Sequence, residues 1–340
     1  MKLLVCGGAG FIGSNFVRQR VQEDGDDVVV LDKLTYAGRR ENLEDLGDAV
    51  TLVHGAIEDP VKAREAIGDG VDAIVNFAAE THVDRSISGP DAFVETNVRG
   101  SLTLLEAARE REVPRYVQIS TDEVYGSIEE GSFTEESPIV PSSPYSASKA
   151  GGDLLVQSYF HTYGLETVIA RGSNNYGPYQ YPEKLIPLMM LSALHDDNLL
   201  VYGDGLNVRN WLFVEDFGRG ISHILAHGAP GEVYNVGGPT ESTNLDVVNG
   251  ILEHTGKDES LIKFIEDRKG HDRRYSLGSE KVKTLGWSAQ VGFEDGLQRT
   301  LSWYRDNPSW WHPIVDSADF REYYERHYKR PLTWRDAAAR

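Results

Sequence analysis

Lys2-Leu3-Leu4-Val5-Cys6-Gly7-Gly8-Ala9-Gly10-Phe11-Ile12-Gly13-Ser14 is the stretch whose reading decides the fold. A short apolar β-type run leads into glycines at 7, 10 and 13, after which a helical period takes over through Phe16, Val17, Arg18 and Val21. The order is strand, glycine turn, helix. Gly7 and Gly10 permit backbone conformations, and a close approach to a pyrophosphate, that a side chain would block. Gly13 allows the helix to pack tightly on the strand, and the helix N-terminus offers free N–H groups and a positive dipole end. A glycine pattern alone is a weak sign. The next strand strengthens it, because Val28-Val29-Val30-Leu31 ends in Asp32, about 20 residues past the glycines. A carboxylate there can accept hydrogen bonds from ribose hydroxyls and would repel a 2′-phosphate, which favours NAD over NADP.

Working outward, residues 50–53, 71–77, 115–120 and 167–171 read as further strands, and residues 61–67, 92–112 and 145–163 as helices. Past the fourth strand, Ala78-Ala79-Glu80-Thr81-His82-Val83-Asp84-Arg85 begins with small residues that leave room for a cofactor lying across the sheet. Residues 127–144, rich in Glu and Pro, read as a loop, as do residues 171–179; a helix is expected to start within 182–187. Beyond that the alternation becomes too broken for a second nucleotide-binding repeat. The expected fold is α/β: a Rossmann-type, doubly wound parallel sheet over residues 1–172, with some later segments returning to it. A smaller C-terminal α/β substrate-binding domain and tail would occupy residues 173–340. The aromatic tail, with Trp303, Trp310, Trp311, Tyr323, Tyr324 and Tyr328, is expected to dock on the body.

The bulk properties exclude several classes. With 34 Lys and Arg against 53 Asp and Glu, the net charge of -19 would repel nucleic acid and anionic membranes. No run approaches a membrane span, and the N-terminus lacks signal-peptide anatomy, so a cytoplasmic location is expected. A single cysteine, Cys6, permits no intrachain disulfide and offers no metal cluster. No metal is expected.

The chemistry-bearing stretch is Ser120-Thr121-Asp122-Glu123-Val124-Tyr125-Gly126, followed by Tyr145-Ser146-Ala147-Ser148-Lys149. The fifth strand delivers the first at its carboxyl end, where open α/β sheets bind ligands. Tyr145 and Lys149, at i and i+4, share a helix face; an ammonium beside a phenol lowers its pKa and makes it a general base for an alcohol. Adjacent carboxyls such as Asp122 and Glu123 can be driven to different protonation states, giving one acid and one base. A simple dehydrogenase or an epimerase needs no such pair, whereas an elimination of water does.

These stretches, with Asp32-Lys33-Leu34-Thr35-Tyr36-Ala37-Gly38 and residues 173–187, resemble the extended short-chain dehydrogenase/reductase superfamily, and within it the dTDP-glucose 4,6-dehydratases. The resemblance spans nearly the whole chain, and Thr121-Asp122-Glu123 and Asn174-Asn175-Tyr176-Gly177-Pro178-Tyr179 are its narrowest parts. It implies a hydro-lyase with tightly held NAD, a nucleotide-sugar substrate and a product for rhamnose-type deoxysugar biosynthesis. Tyr145, aided by Thr121 and Lys149, would take the 4-hydroxyl proton as hydride leaves C4; Glu123 would take the C5 proton and Asp122 protonate the departing C6 hydroxyl. Cofactor contacts are implied for Gly7, Gly10, Phe11, Ile12, Gly13, Asp32, Lys33, Thr35, Ile57, Ala78, Ala79, Tyr145 and Lys149. Substrate contacts are implied for His82, Thr121, Asn174, Glu183 and Lys184, and around the nucleotide for Tyr202, Arg209, Asn244 and Arg274. A homodimer joined through the helices near 90–112 and 145–163 is implied as well. Competing readings are a UDP- or GDP-sugar dehydratase, a sugar-nucleotide 4-epimerase and a non-enzymatic NAD-binding protein.

The sequence departs from the family pattern at Cys6, where Thr is more usual, and at Ala56, where an Asp is commonly offered to the adenine amino group. Ile57 backbone groups, Glu58 or Asp59 are the candidates to compensate, and weaker NAD retention is expected. The cations are 23 Arg and only 11 Lys, a balance that, with the acidic excess, suits solubility in high salt. Melting temperature is therefore expected to rise with KCl, and a flat salt dependence would remove the salt-adaptation reading.

Overall fold

Strand β1 (Lys2–Cys6) has Leu3, Leu4, Val5 and Cys6 fully buried, because it lies inside a seven-stranded sheet covered on both faces. In this computed structural model, which describes residues 1–267 and 271–333, its companions are β2 (Asp27–Asp32), β3 (Val50–His54), β4 (Ala73–Asn76), β5 (Arg115–Thr121), β6 (Glu166–Gly172) and β10 (Val233–Val236). Residues 334–340, assigned to the second domain from sequence, lie outside the described residues. The strand order is β10-β6-β5-β4-β1-β2-β3, with every neighbouring pair parallel. The order reverses between β1 and β4, the switch point at which such sheets bind ligands at their strand carboxyl ends. The edge strand β10 comes from beyond residue 172.

Alternate side chains serve opposite faces. Leu3 and Val5 join Phe16, Val17, Phe217 and Ile221 in one core, while Leu4 and Cys6 join Ile57, Ile74, Leu104 and Val156 in the other. A third core lies in the smaller lobe, where Met189, Met190, Val248, Ile251, Leu297 and Trp311 pack together. That lobe carries a three-stranded sheet, β11 (Thr240–Thr243)-β9 (Val208–Phe213)-β7 (Asn174–Tyr176), and a two-stranded one, β12 (Ile262–Ile265)-β8 (Leu199–Tyr202). The aromatic tail docks as expected: Trp310 donates to Asn42 at 2.7 Å, and Phe320 and Tyr324 are buried.

Two elements differ from expectation. The stretch 171–179, read as a loop, contains β7, whose pairing with β9 is a long-range contact that Gly and Pro content conceals. The long helix expected over 92–112 is present as Asp91–Phe93, a wide π segment at Val94–Gly100, and Ser101–Glu110. The wide segment places Asn97 so that its amide donates to Ser148 at 2.8 Å, on the helix Pro144–Tyr163, while its oxygen accepts from the Glu80 amide at 3.0 Å. The two helices touch closely, since a Cβ at Gly152 would lie 2.7 Å from the Asn97 carbonyl. Among the described residues, no helix is long and apolar enough to cross a membrane.

Candidate active site

The carboxyl ends of β1, β2, β4, β5 and β6 border a cavity of about 330 Å³. Every residue expected to hold a cofactor lines it: Gly7, Gly10, Phe11, Ile12, Gly13, Asp32, Lys33, Thr35, Ile57, Ala78, Ala79, Tyr145 and Lys149. Gly7 has φ +73, and a Cβ there would meet the Ala78 nitrogen at 2.5 Å, so packing alone demands this glycine. Gly10 is different. A Cβ there would meet only the Gly7 oxygen, at 3.3 Å, so its bareness serves the cavity rather than the core. The helix Phe11–Gln22 starts at Gly10 with no side-chain cap, which leaves its N-terminus to a ligand anion. Asp32 is fixed by the amides of Ala9 at 2.9 Å and Leu34 at 2.8 Å, and burial raises its pKa. Glycine cradle, uncapped helix and oriented carboxylate fit a dinucleotide with a free ribose diol.

At the adenine end, Asp59 is spent as the cap of the helix Pro60–Ile67, accepting from Val61 at 2.8 Å. Glu58 is not. One of its oxygens takes the Lys33 ammonium at 2.6 Å, and the other is buried without a protein partner on a residue lining the cavity. Of the two carboxylates offered in place of Ala56, Glu58 has the free acceptor.

The reacting centre is built by the end of β5. A short 3₁₀ turn, Asp122–Tyr125, follows Thr121, whose hydroxyl oxygen accepts from the Glu123 amide at 3.3 Å and whose hydroxyl donates to Asp122 at 3.3 Å. Gly126 closes the turn at φ +85, where a Cβ would lie 2.5 Å from the Val140 oxygen. Asp122 is buried, with one carboxyl oxygen lacking a partner; burial, then the neighbouring Glu123, pushes its pKa up to about 7. A carboxyl raised to that value is partly protonated at neutral pH, which suits it to proton donation. Thr121, Asp122, Glu123, Tyr145 and Lys149 all line the one cavity.

One expected effect runs the other way. Lys149 was expected to lower the Tyr145 phenol, but its ammonium donates instead to the Ile119 carbonyl at 2.7 Å, and burial lowers its own pKa to about 8. Burial, then Glu123, raises the phenol, opposed by a hydrogen bond with Thr121. Desolvation outweighs the i, i+4 geometry because both groups are buried.

On the substrate side, Asn174, Glu183 and Lys184 line the cavity as expected. Three buried amide oxygens there, of Asn174, Asn175 and Gln180, have no protein partner and suit the hydroxyls of a sugar. Glu183 accepts from the Tyr36 hydroxyl at 2.9 Å and from Arg85 at 3.0 Å, and the Arg85 guanidinium lies between the rings of Tyr36 (4.0 Å) and Tyr323 (4.6 Å). His82, expected at the substrate, lies outside the cavity lining, hydrogen-bonded to Tyr323 at 3.2 Å behind Glu183. The tail helix Ala318–Tyr328 brings Tyr323 to it.

The four residues expected around the nucleotide also lie off this cavity, in the smaller lobe. Arg209, on β9, stacks on Tyr275 at 4.4 Å and donates to the Asp272 carbonyl at 3.0 Å. Arg274 forks onto Glu241 at 2.9 and 3.0 Å, Tyr202 meets His327, and Asn244 opens the helix Asn244–Thr255. Arg209, Arg274 and Tyr202 are held by partners that sequence spacing does not reveal. Arg209 is nonetheless close enough for its charge to oppose the rise in the Asp122 pKa. Asn175, Gln180 and Tyr36 were missed as site residues; all three sit in stretches already singled out, but nothing local marked which side chains turn inward.

A switch-point cavity with glycine cradle, ribose carboxylate and Tyr-Lys pair defines an extended short-chain dehydrogenase/reductase. The family model described as GDP-mannose 4,6 dehydratase matches residues 4–300. The chain is 50% identical over 322 residues to the dTDP-glucose 4,6-dehydratase of Streptomyces niveus, covering 92% of this chain and 96% of that protein. It is 52% identical over 307 residues to the low-salt glycan biosynthesis protein Agl12 of Haloferax volcanii, covering 89% and 98%. The crystal structure of DesIV, a dTDP-glucose 4,6-dehydratase from Streptomyces venezuelae with NAD and TYD bound, superposes with a TM-score of 0.90 at 52% identity, covering 92% of this chain and all of that one. The chain belongs to the dTDP-glucose 4,6-dehydratase family.

The Asp122 environment has a consequence for stability. Its native pKa, about 7, lies above the unfolded carboxyl value of about 3.9, so the group opposes folding increasingly as pH rises between them, and fully above 7. Asp122→Asn should therefore be more stable than the parent at pH 8 by on the order of 2 to 4 kcal/mol, with the gain vanishing below about pH 4. Urea titrations showing the same difference at both pH values would contradict this.

Proposed function

We propose that this chain converts dTDP-glucose to dTDP-4-dehydro-6-deoxyglucose by oxidation at C4, elimination of water across C5 and C6, and return of hydride to C6, in rhamnose-type deoxysugar biosynthesis. The observation that carries the reading is the placing of Asp122, partly protonated near neutral pH, beside Glu123 in the same cavity as Tyr145. Bound NAD would supply the hydride acceptor for C4 and the hydride donor for C6. Tyr145, hydrogen-bonded to Thr121, takes the proton of the sugar 4-hydroxyl. Burial holds the phenol's pKa up, so this step depends on added positive charge, for which Lys149 is available one turn along the same helix and which bound NAD would supplement. The new 4-ketone acidifies the C5 hydrogen, which Glu123 removes, and Asp122 protonates the C6 hydroxyl as it leaves. Lys184, lining the cavity with its pKa lowered by burial, suits a phosphate oxygen.

The enzyme is proposed to act as a homodimer in the cytoplasm, where its soluble nucleotide-sugar and NAD are found. The helices near 90–112 and 144–163 leave Val94, Leu102, Leu154 and Tyr163 exposed, which supports pairing through those faces. The test is incubation with dTDP-glucose, UDP-glucose and GDP-mannose, followed by mass spectrometry for loss of water. A keto product from dTDP-glucose is expected, and dTDP-galactose in its place would sink the reading. In single turnovers, Asp122→Asn should slow water loss about 100-fold or more while C4 oxidation falls far less; equal losses would remove Asp122 from the acid role.

A further inference from the structure

Behind the reacting centre lies a buried ion pair that the mechanism above does not use. Asp153, on the helix Pro144–Tyr163, is fully buried, and Arg171, on β6, is 2% exposed. One Asp153 carboxylate oxygen accepts from the Ser120 hydroxyl at 3.0 Å and from Arg171 Nε at 2.9 Å. Arg171 Nη1 donates to the Tyr125 hydroxyl at 2.8 Å, which donates in turn to Asn235 at 2.9 Å. Ser120 directly precedes Thr121-Asp122-Glu123 and Tyr125 closely follows it, so the network grips the turn from both ends. Lys149 sits one helical turn before Asp153, and the second Asp153 oxygen is buried without a protein partner. Burying an ion pair costs several kcal/mol per ion before its partners compensate, so such pairs are weak stabilisers in general. This pair has a geometric job instead.

We propose that Asp153 and Arg171 are positioning residues for the reacting centre: they clamp the Thr121-Asp122-Glu123 turn at both ends, and Asp153 holds negative charge near Lys149 that keeps its ammonium protonated. The proposal rests on the functional reading above. The ionisable groups on the elements around Lys149 separate clearly. On its own helix are Tyr145 and Asp153, with Tyr159, His161 and Tyr163 more than two turns farther along; the turn after β5 carries Asp122, Glu123 and Tyr125; β6 carries Arg171 and, at its far exposed start, Glu166. From the neighbouring helices, Glu95 pairs with Arg99 and Glu106 with Arg109, while Arg85 pairs with Glu183 and Asp84 sits near His82. Asp153 is the charge that opposes the effect of burial on Lys149, whose pKa stands at about 8.

Asp153→Asn keeps the size of the side chain and an acceptor for Ser120 and Arg171 while removing the charge. The Lys149 pKa should then fall, and activity that needs the ammonium should be lost at lower pH. The readout is single-turnover C4 oxidation, followed by the absorbance of reduced cofactor across a pH series. In Asp153→Asn the alkaline limb should move down by about one pH unit or more, with KM for the sugar nucleotide unchanged. A uniformly lower rate with the limb in place would overturn the charge role. Tyr125→Phe tests the clamp separately and covers the case in which the first variant does not fold. It should slow water loss roughly tenfold and leave the limb where it is, because the Asp153 charge remains; wild-type rates in this variant would overturn the clamp. Keto product formation by the unmodified enzyme is measured first, so failure of the functional reading shows itself apart from failure of this one.

Discussion

Strand β5 is hydrogen-bonded on both sides, to β4 and β6, and the helix Pro144–Tyr163 packs across its carboxyl end. The residues that follow it therefore turn into the cavity with little water around them. Burial then acts on three ionisable groups in one sense, raising Asp122, raising Tyr145 and lowering Lys149, so that each is driven toward its neutral form. A carboxyl buried in this way keeps its proton near neutral pH, and a buried phenol gives its proton up only where positive charge is supplied. Glu123 adds to the rise of Asp122 and of Tyr145, whereas Asp153, one turn from Lys149 on the same helix, works against burial and restores charge there.

The smaller lobe is tied to that centre through the substrate wall. Glu183 binds Tyr36 and Arg85 from the large lobe, and Arg85 is flanked by Tyr323 from the tail helix. The tail aromatics thus reach the cavity wall at one remove, through Tyr323. The unpartnered amide oxygens of Asn174, Asn175 and Gln180 complete a surface rich in acceptors, which a polyhydroxylated ligand can satisfy and an apolar one cannot.

The parts of this arrangement legible in the sequence are those encoded over a few consecutive residues. The glycine turn, Asp32 at the end of β2, the Thr121-Asp122-Glu123 turn and the Tyr145/Lys149 spacing are of this kind, and the structure brings them to one cavity. What escaped depends on distant partners. The direction of the Tyr145 pKa follows from how deeply the helix is covered, which i, i+4 spacing does not state. Strand β7 exists because β9 pairs with it, and Arg209, Arg274, Tyr202 and His82 are claimed by neighbours far off in sequence. Asp153 and Arg171 gave no local signal at all, since their meaning is each other.

In the proposed reaction one buried centre oxidises C4, removes water across C5 and C6, and returns the same hydride to C6. It is tested most directly by single-turnover conversion of dTDP-glucose carrying deuterium at C4, with the label located in the product by mass spectrometry and NMR. The deuterium is expected at C6, with one solvent proton at C5 and one water lost. Label washed out to solvent, or returned to C4 with no loss of water, would contradict it.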